Sequence, residues 1–163
     1  MKIGVVSDTH GQHGRLRRAI ELLRQAGAEY LVHCGDIGGT ECLAALGGAG
    51  LPAMAVAGNT DAMFQYDLEA AAMGVQFCPR VLTAELPGGI RIAVTHGDDP
   101  ALLKQLIHDG QYRYVFCGHS HAAGHATVGA TQVVNPGALH RARPHTCALV
   151  DTDGKVQFLT VDG

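Results

Sequence analysis

Three times in its first 61 residues the chain crosses a short apolar run and stops at a small residue followed by Asp or Asn. Ile3-Gly4-Val5-Val6 leads to Ser7-Asp8-Thr9-His10-Gly11, Tyr30-Leu31-Val32-His33-Cys34 to Gly35-Asp36, and Ala53-Met54-Ala55-Val56-Ala57 to Gly58-Asn59-Thr60-Asp61. Runs of this length and composition read as buried strands. Between them lie helical patterns. Leu16, Ala19, Ile20, Leu23 and Ala26 share one face, Arg15, Arg17, Arg18 and Arg24 lie largely on the other, and Gly27 is a natural stop. Thr40 is placed to cap a shorter helix from Glu41 to Leu46, ended by Gly47. Buried strands alternating with helices predict βαβ units and a largely parallel sheet.

Beyond Asp61 the pattern loosens. Leu68 to Met73 reads as a short helix ended by Gly74, and Val75–Cys78, Val81–Leu86 and Arg91–Thr95 read as strands. Pro87-Gly88-Gly89 has the chemistry of a hairpin turn between the last two. After His96-Gly97, Asp99 is placed to cap, and Pro100 to open, a helix carrying Leu102, Leu103, Leu106 and Ile107 as far as Gly110. Tyr112–Cys117 is a further β-prone run, ending in Gly118-His119-Ser120-His121. From Ala126 onwards only strands are expected: Ala126–Val128, Gln132–Val134, Cys147–Val150 and Val156–Val161, with turns such as Asn135-Pro136-Gly137 and Asp153-Gly154 between them. No repeat, low-complexity tract or linker interrupts the chain. Residues 1–163 are therefore read as a single α/β domain of two packed sheets flanked by helices.

Composition narrows the function classes. A chain of 163 residues, 47% apolar and 17% charged, has an ample interior and needs no covalent staples. A net charge of −3 leaves no basic footprint for a nucleic-acid backbone. The five cysteines are scattered without a Cys-x-x-Cys pair, which removes zinc-finger and redox-motif readings and fits buried free thiols in a reducing compartment. The apolar run after Lys2 is too brief for a signal-peptide core or a membrane span, so the expected location is cytoplasmic. Ten histidines, with no tryptophan and few other aromatic residues, point to metal or proton chemistry.

The chemistry-bearing residues fall at strand ends. Asp8 and His10, Asp36, Asn59, His96, and His119 with His121 each follow an expected strand, and ligands of open α/β sheets bind beyond the carboxyl ends of the strands. Singly, each has a plain structural explanation: a turn or cap for Asp8 and Asp36, a left-handed turn for Asn59, a buried histidine for His96. All of those would have to hold at once to explain five strand ends out of five. Carboxylates, an amide oxygen and imidazoles without thiolates suit Mn, Fe, Zn or Ni, with Mn first. Seven ligands are too many for one tetrahedral ion but suit two ions sharing a bridging carboxylate. Such a pair holds a bridging hydroxide at neutral pH and clamps both oxygens of an in-line displacement at phosphorus.

Asp8-x-His10, Gly35-Asp36, Gly58-Asn59, His96-Gly97 and Gly118-His119-x-His121 resemble, as a set, the five motifs of calcineurin-like metallophosphoesterases. The short length and Ser7-Asp8-Thr9-His10-Gly11 are similar to the small single-domain phosphodiesterase branch of that superfamily. The resemblance implies a four-layer α/β/β/α sandwich of two mixed sheets flanked by helices. It implies a phosphodiesterase acting on a small phosphate ester, with Asp36, Asn59 and His96 in catalytic positions. One metal would take Asp8, His10, Asp36 and His121, and the other Asp36, Asn59, His96 and His119. Thr60 stands where many relatives carry a histidine that assists the leaving group, so departure here calls for a good leaving group, another donor or metal-bound water.

Around these, His33 reads as strand packing or as a residue orienting a ligand, and His13, His125, His140 and His145 as residues of the site's mouth. Arg141 and Arg143 read as solvated, or as a bidentate grip on phosphate. Two other functions fit the resemblance: a phosphomonoesterase, or a non-catalytic scaffold like the retromer subunit that shares the fold. An amidohydrolase would show His-x-His on its first strand, where this chain has Asp8-x-His10. Nucleic acid is expected only as a phosphodiester substrate, no membrane is expected as a partner, and homo-oligomers are compatible with the sequence.

Overall fold

The computed structural model describes residues 1–162. Side chains alternate along the first strand, β1 (Lys2–Val6): Ile3 and Val5 face one apolar cluster, Val6 the other. A strand apolar on both faces must be covered on both. On one side lie the helices α1 (His13–Gln25), α2 (Thr40–Gly47) and α3 (Tyr66–Ala72), and on the other lies a second sheet.

The first sheet consists of β1, β2 (Tyr30–His33), β3 (Ala53–Val56), β4 (Val75–Cys78), β10 (Thr146–Asp151) and β11 (Val156–Thr160), in the order β11-β10-β1-β2-β3-β4. Strands β1 to β4 are parallel, and β10 and β11 are each antiparallel to the preceding neighbour. The second sheet has the order β5-β6-β7-β9-β8, formed by β5 (Val81–Leu86), β6 (Ile90–Thr95), β7 (Tyr114–Phe116), β8 (Gly124–Val128) and β9 (Thr131–Asn135). Here β6, β7 and β9 are parallel, with antiparallel strands at both edges. Helix α4 (Pro100–His108) covers its outer face over Ala93 and Val115. This is the α/β/β/α sandwich of mixed sheets that the resemblance implied.

Between the sheets, Ile3, Val5, Val32 and Val56 meet Leu82, Ile92, Val94, Tyr114 and Phe116. The Tyr114 and Phe116 rings lie near-parallel, centroids 5.8 Å apart. Each large side chain buried there contributes about 1.5–3 kcal/mol, which makes this layer the rigid base for the loops at the strand ends. Register matters for those loops. Val6 lies beside His33 and His33 beside Ala55, while Val94 lies beside Phe116, so the carboxyl ends of the parallel strands come out level.

Some boundaries differ from expectation. Thr40 is the first residue of α2 rather than its cap, because Gly39 precedes the helix at φ 148° and no side chain caps it. Asp99 does cap α4, accepting from the Leu102 N–H at 3.1 Å. Helix α3 begins at Tyr66, whose buried ring packs edge-on against Phe77 of β4. Asn59–Asp61 forms a single 3₁₀ turn, and β7 is confined to Tyr114–Phe116. Among the described residues no helix is long and apolar enough to cross a membrane.

Candidate metal centre

Loops from the carboxyl ends of β1, β2, β3, β6 and β7 bring Asp8, His10, Asp36, Asn59, His96, His119 and His121 into one cluster. The backbone is unusual there. Among the described residues, six non-glycine residues have positive φ, and five are in the cluster: Asp8 (54°), His10 (46°), Asp36 (53°), His119 (68°) and His121 (58°). Each such residue costs of the order of 1–3 kcal/mol and persists only where the surroundings over-determine it. The left-handed turns carry His119 and His121 to different sides. The His121 ring lies 5.6 Å from that of His10, and the His119 ring 5.1 Å from that of His96, so the pair splits between two halves of the cluster.

The two oxygens of Asp8 have different tasks. Oδ2 accepts from the Ser7 hydroxyl at 2.6 Å and from the His119 N–H at 3.0 Å. Oδ1 is buried without a hydrogen-bond partner, 3.1 Å from His121 Nε2, 3.9 Å from His10 Nε2 and 4.0 Å from His96 Nε2. His10 Nε2 is likewise buried and unpartnered. Buried polar atoms are almost always satisfied, so two orphans facing one volume call for an explanation. Asp36 is held through Oδ1, which accepts from the Thr60 N–H at 3.0 Å. Its Oδ2 lies 3.4 Å from His10 Nε2 and 3.4 Å from His96 Nε2, between the two halves.

The tautomer of His96 follows from its neighbours. Nδ1 lies 2.8 Å from the Cys34 carbonyl and must donate to it, so a neutral ring presents a lone pair at Nε2. Asn59 Oδ1, 3.1 Å from that nitrogen, presents another. Two acceptors facing each other require a proton or a cation between them. Without a cation the proton is the answer: burial alone would lower the His96 value, but bonds to Asp36 and Cys34 and the charges of Asp36 and Asp8 raise it above 6.5. In Asp36, burial favours the neutral acid but is outweighed by hydrogen bonds from His96 and Thr60, which hold the carboxyl well below its ordinary range. Oxygen and imidazole lone pairs converging from every side are what a divalent cation would satisfy. The residues fit such a group.

Two glycines matter through space alone. A Cβ on Gly58 would sit 2.1 Å from Asp36 Oδ1, and one on Gly118 would sit 1.9 Å from Ser7 Oγ and 2.6 Å from Asp8 Oδ2. Both motifs thus carry glycine because the place of the side chain is taken, at Gly58 by the Asp36 carboxylate and at Gly118 by the Ser7 hydroxyl with the Asp8 carboxylate behind it.

Two buried residues brace the loops. His33 accepts from the Gly35 N–H at Nδ1 and donates from Nε2 to Thr9 Oγ1, linking the loops of Asp8 and Asp36. Burial dominates its titration and, against nearby carboxylates, lowers it to about 4, so it remains neutral. Asp61, at the end of the Gly58-Asn59-Thr60-Asp61 motif, receives the N–H groups of Ile37, Gly38 and Gly58. Its only sequence signal was the motif it shares with Asn59. His125 meets Gln132 on the neighbouring strand, while His140 stands at the cluster with its ring 5.3 Å from that of His10. A cavity of about 330 Å³ is lined by Gly58, Thr95, Arg80, Asp98, Asp99 and Leu102 among others.

Residues 1–155 match the sequence model of the calcineurin-like phosphoesterase superfamily domain. A phosphodiesterase of Methanocaldococcus jannaschii is 27% identical over 163 residues, covering 95% of this chain and 95% of its own. Among solved structures, one described as a novel archaeal phosphodiesterase superposes with a TM-score of 0.86 at 24% identity, over 98% of this chain and 99% of that one. A phosphoesterase from E. coli gives 0.68 at 21% identity, over 99% and 100%. Vacuolar protein sorting 29 from Cryptosporidium parvum gives 0.69 at 21% identity, over 97% and 95%. At these identities the structures speak for the fold, which scaffolds and enzymes share. The match over nearly the whole sequence decides the family: the chain belongs to the calcineurin-like phosphoesterase superfamily and is a hydrolase of phosphoric esters.

Proposed function

We propose that the protein is a dinuclear metal-dependent phosphodiesterase, with residues 1–163 acting as one catalytic domain. The observation that carries the reading is the pair of buried, unpartnered atoms, Asp8 Oδ1 and His10 Nε2, beside an Asp36 oxygen equidistant from imidazoles on both sides. Asp8, His10, Asp36 and His121 would hold one ion, and Asp36, Asn59, His96 and His119 the other. When bound, two divalent ions supply Lewis acidity and a nucleophile from water at neutral pH.

The chain's own residues do the rest. Asp36 sets the spacing of the two halves, and the Cys34 carbonyl keeps the His96 lone pair turned inward. Ser7 and the His119 N–H fix Asp8 so that Oδ1 stays free. Thr60 brings no imidazole to the leaving group, so esters of acidic alcohols are expected to react fastest. The likeness to a phosphodiesterase supports diesters rather than monoesters as substrates. A scaffold of the same fold gains nothing from orphaned lone pairs, and this chain keeps all seven candidate ligands.

The test is hydrolysis of bis-p-nitrophenyl phosphate by protein loaded with Mn²⁺, then Fe²⁺, Zn²⁺ or Ni²⁺. Chelation should lower turnover at least about 10²-fold, and metal should restore it. Two bound ions with no turnover of diesters or monoesters would leave the scaffold reading.

Acidity supplies a second check. The raised His96 value stabilises the metal-free fold below 6.5, and that contribution fades as pH rises through the raised value. The lowered Asp36 value stabilises it above 3.8 and fades as pH falls towards the lowered one. Metal competes with the His96 proton, so the rise in melting temperature caused by Mn²⁺ should grow between about pH 6 and pH 8. A metal-induced shift independent of pH over that range would exclude His96 as a ligand.

A further inference from the structure

Basic residues reach the edge of the candidate metal centre from the loop after β9 and from the first turn of α1. His140 sets its ring 5.3 Å from that of His10, although the two are far apart in sequence. The neighbouring Leu139 carbonyl accepts from Arg15 Nη1 at 2.6 Å, which ties this loop to the first turn of α1 beside His10. Arg15 Nε is shielded from solvent and has no partner. Arg24 and Arg80 pair with carboxylates, whereas Arg15 and Arg141 have none among the described residues.

Arg141 is also the sixth non-glycine residue with positive φ, at 49°, the other five being in the metal cluster. Asp and His tolerate that region through short polar side chains, but arginine gains nothing locally from it. The loop therefore imposes the conformation on an exposed residue next to the site. His140 is half-buried between the exposed Arg141 and the His10 ring.

Charge balance says what such a group is for. Two divalent ions would bring four positive charges, and Asp8, Asp36, a bridging hydroxide and a phosphodiester would return all four. The centre itself would then leave no surplus for a second anionic group, which only Arg15 and Arg141 could meet. In a chain of net charge −3, two guanidinium groups without carboxylate partners at the edge of that centre form an anion-attracting focus.

We propose that Arg15, His140 and Arg141 form an anion subsite on the His10–His121 side of the metal centre, and that the preferred substrates are phosphodiesters bearing a second phosphate or carboxylate on one esterified arm. The inference rests on the phosphodiesterase reading and extends it to a substrate class.

A matched pair of substrates tests it: thymidine p-nitrophenyl phosphate, and the same ester with a second phosphate on the free sugar hydroxyl. The Mn²⁺-loaded protein should favour the ester with the second phosphate about tenfold or more in kcat/KM, chiefly through KM. Arg141→Asn accepts the left-handed backbone and should cut kcat/KM for that ester at least about fivefold more than for the other, with Arg141→Lys recovering part of the difference. Equal losses on both esters, or no preference in the parent protein, would overturn the subsite.

Calorimetry separates this from the activity itself. Thymidine bisphosphate should bind the metal-free protein more tightly than thymidine monophosphate, and Arg141→Asn should remove the difference. If that holds while neither ester is hydrolysed, the subsite stands and the phosphodiesterase reading falls. If both esters are hydrolysed equally and both nucleotides bind equally, the reverse is true.

Discussion

Asp36→Asn is expected to lower diester turnover at least about 10³-fold, equivalent to about 4 kcal/mol of lost transition-state stabilisation. Position and charge both require this. Asp36 Oδ2 stands 3.4 Å from an imidazole nitrogen in each half of the cluster. With asparagine, Asp8 alone would oppose two divalent ions. Neither orientation of the amide fits either. With its nitrogen towards Thr60, it meets an N–H that now donates to Asp36 Oδ1 at 3.0 Å. With its nitrogen inward, it removes the oxygen that both ions would share. Metal analysis should show occupancy falling from two ions per chain to one or fewer, while far-ultraviolet circular dichroism of the metal-free variant stays native-like. A variant holding two ions and working within tenfold of the parent would remove Asp36 from the bridging position.

Residues two apart on a strand and three or four apart on a helix carried much of the fold in their pattern alone. Ile3 and Val5 against Val6, and Leu16, Ala19, Ile20 and Leu23 in α1, pack where periodicity places them. The meeting of the candidate metal ligands has a related reason. Parallel strands with level carboxyl ends turn residues far apart in sequence into neighbours, and strand ends are readable locally. Backbone conformation was not. Nothing local to Asp8, His10, Asp36, His119 or His121 announces positive φ, because it arises from loops pressing on one another across the sandwich edge. His119 and His121 lie beyond the end of β7 at Phe116, where strand alternation no longer fixes which way a side chain turns.

Contacts made by irregular chain were equally hidden. His140 follows a turn after β9, and no periodicity places its ring next to that of His10. Thr40 has the chemistry of a cap, but Gly39 at φ 148° takes the preceding position. In each case a loop's path over the surface decided the outcome, and that path depends on the whole packed edge.

Asp61→Asn is expected to lower stability by about 2–4 kcal/mol and turnover by about 10²-fold, with no contact between this residue and the candidate ligand atoms. The Asp61 side chain is 1% exposed. Its Oδ2 accepts from Ile37 N–H at 3.0 Å and Gly58 N–H at 2.8 Å, and its Oδ1 from Gly38 N–H at 3.0 Å and the Tyr66 hydroxyl at 3.4 Å. One carboxylate therefore ties the loop that carries Asp36 to the turn that carries Asn59. Asparagine turns one of those acceptors into a donor, and in either orientation an NH₂ faces two groups that also donate. The loops must separate or leave buried N–H groups unpaired, at about 1–3 kcal/mol for each group. Displacing a ligand by about 1 Å is enough for the 10²-fold loss. The two effects can be told apart from those of Asp36→Asn. All candidate ligands survive in Asp61→Asn, so raising Mn²⁺ should recover a substantial part of its turnover, whereas Asp36→Asn should stay inactive at any metal concentration. A melting temperature and a metal affinity unchanged from the parent would mean that the Asp36 and Asn59 loops hold their geometry without Asp61.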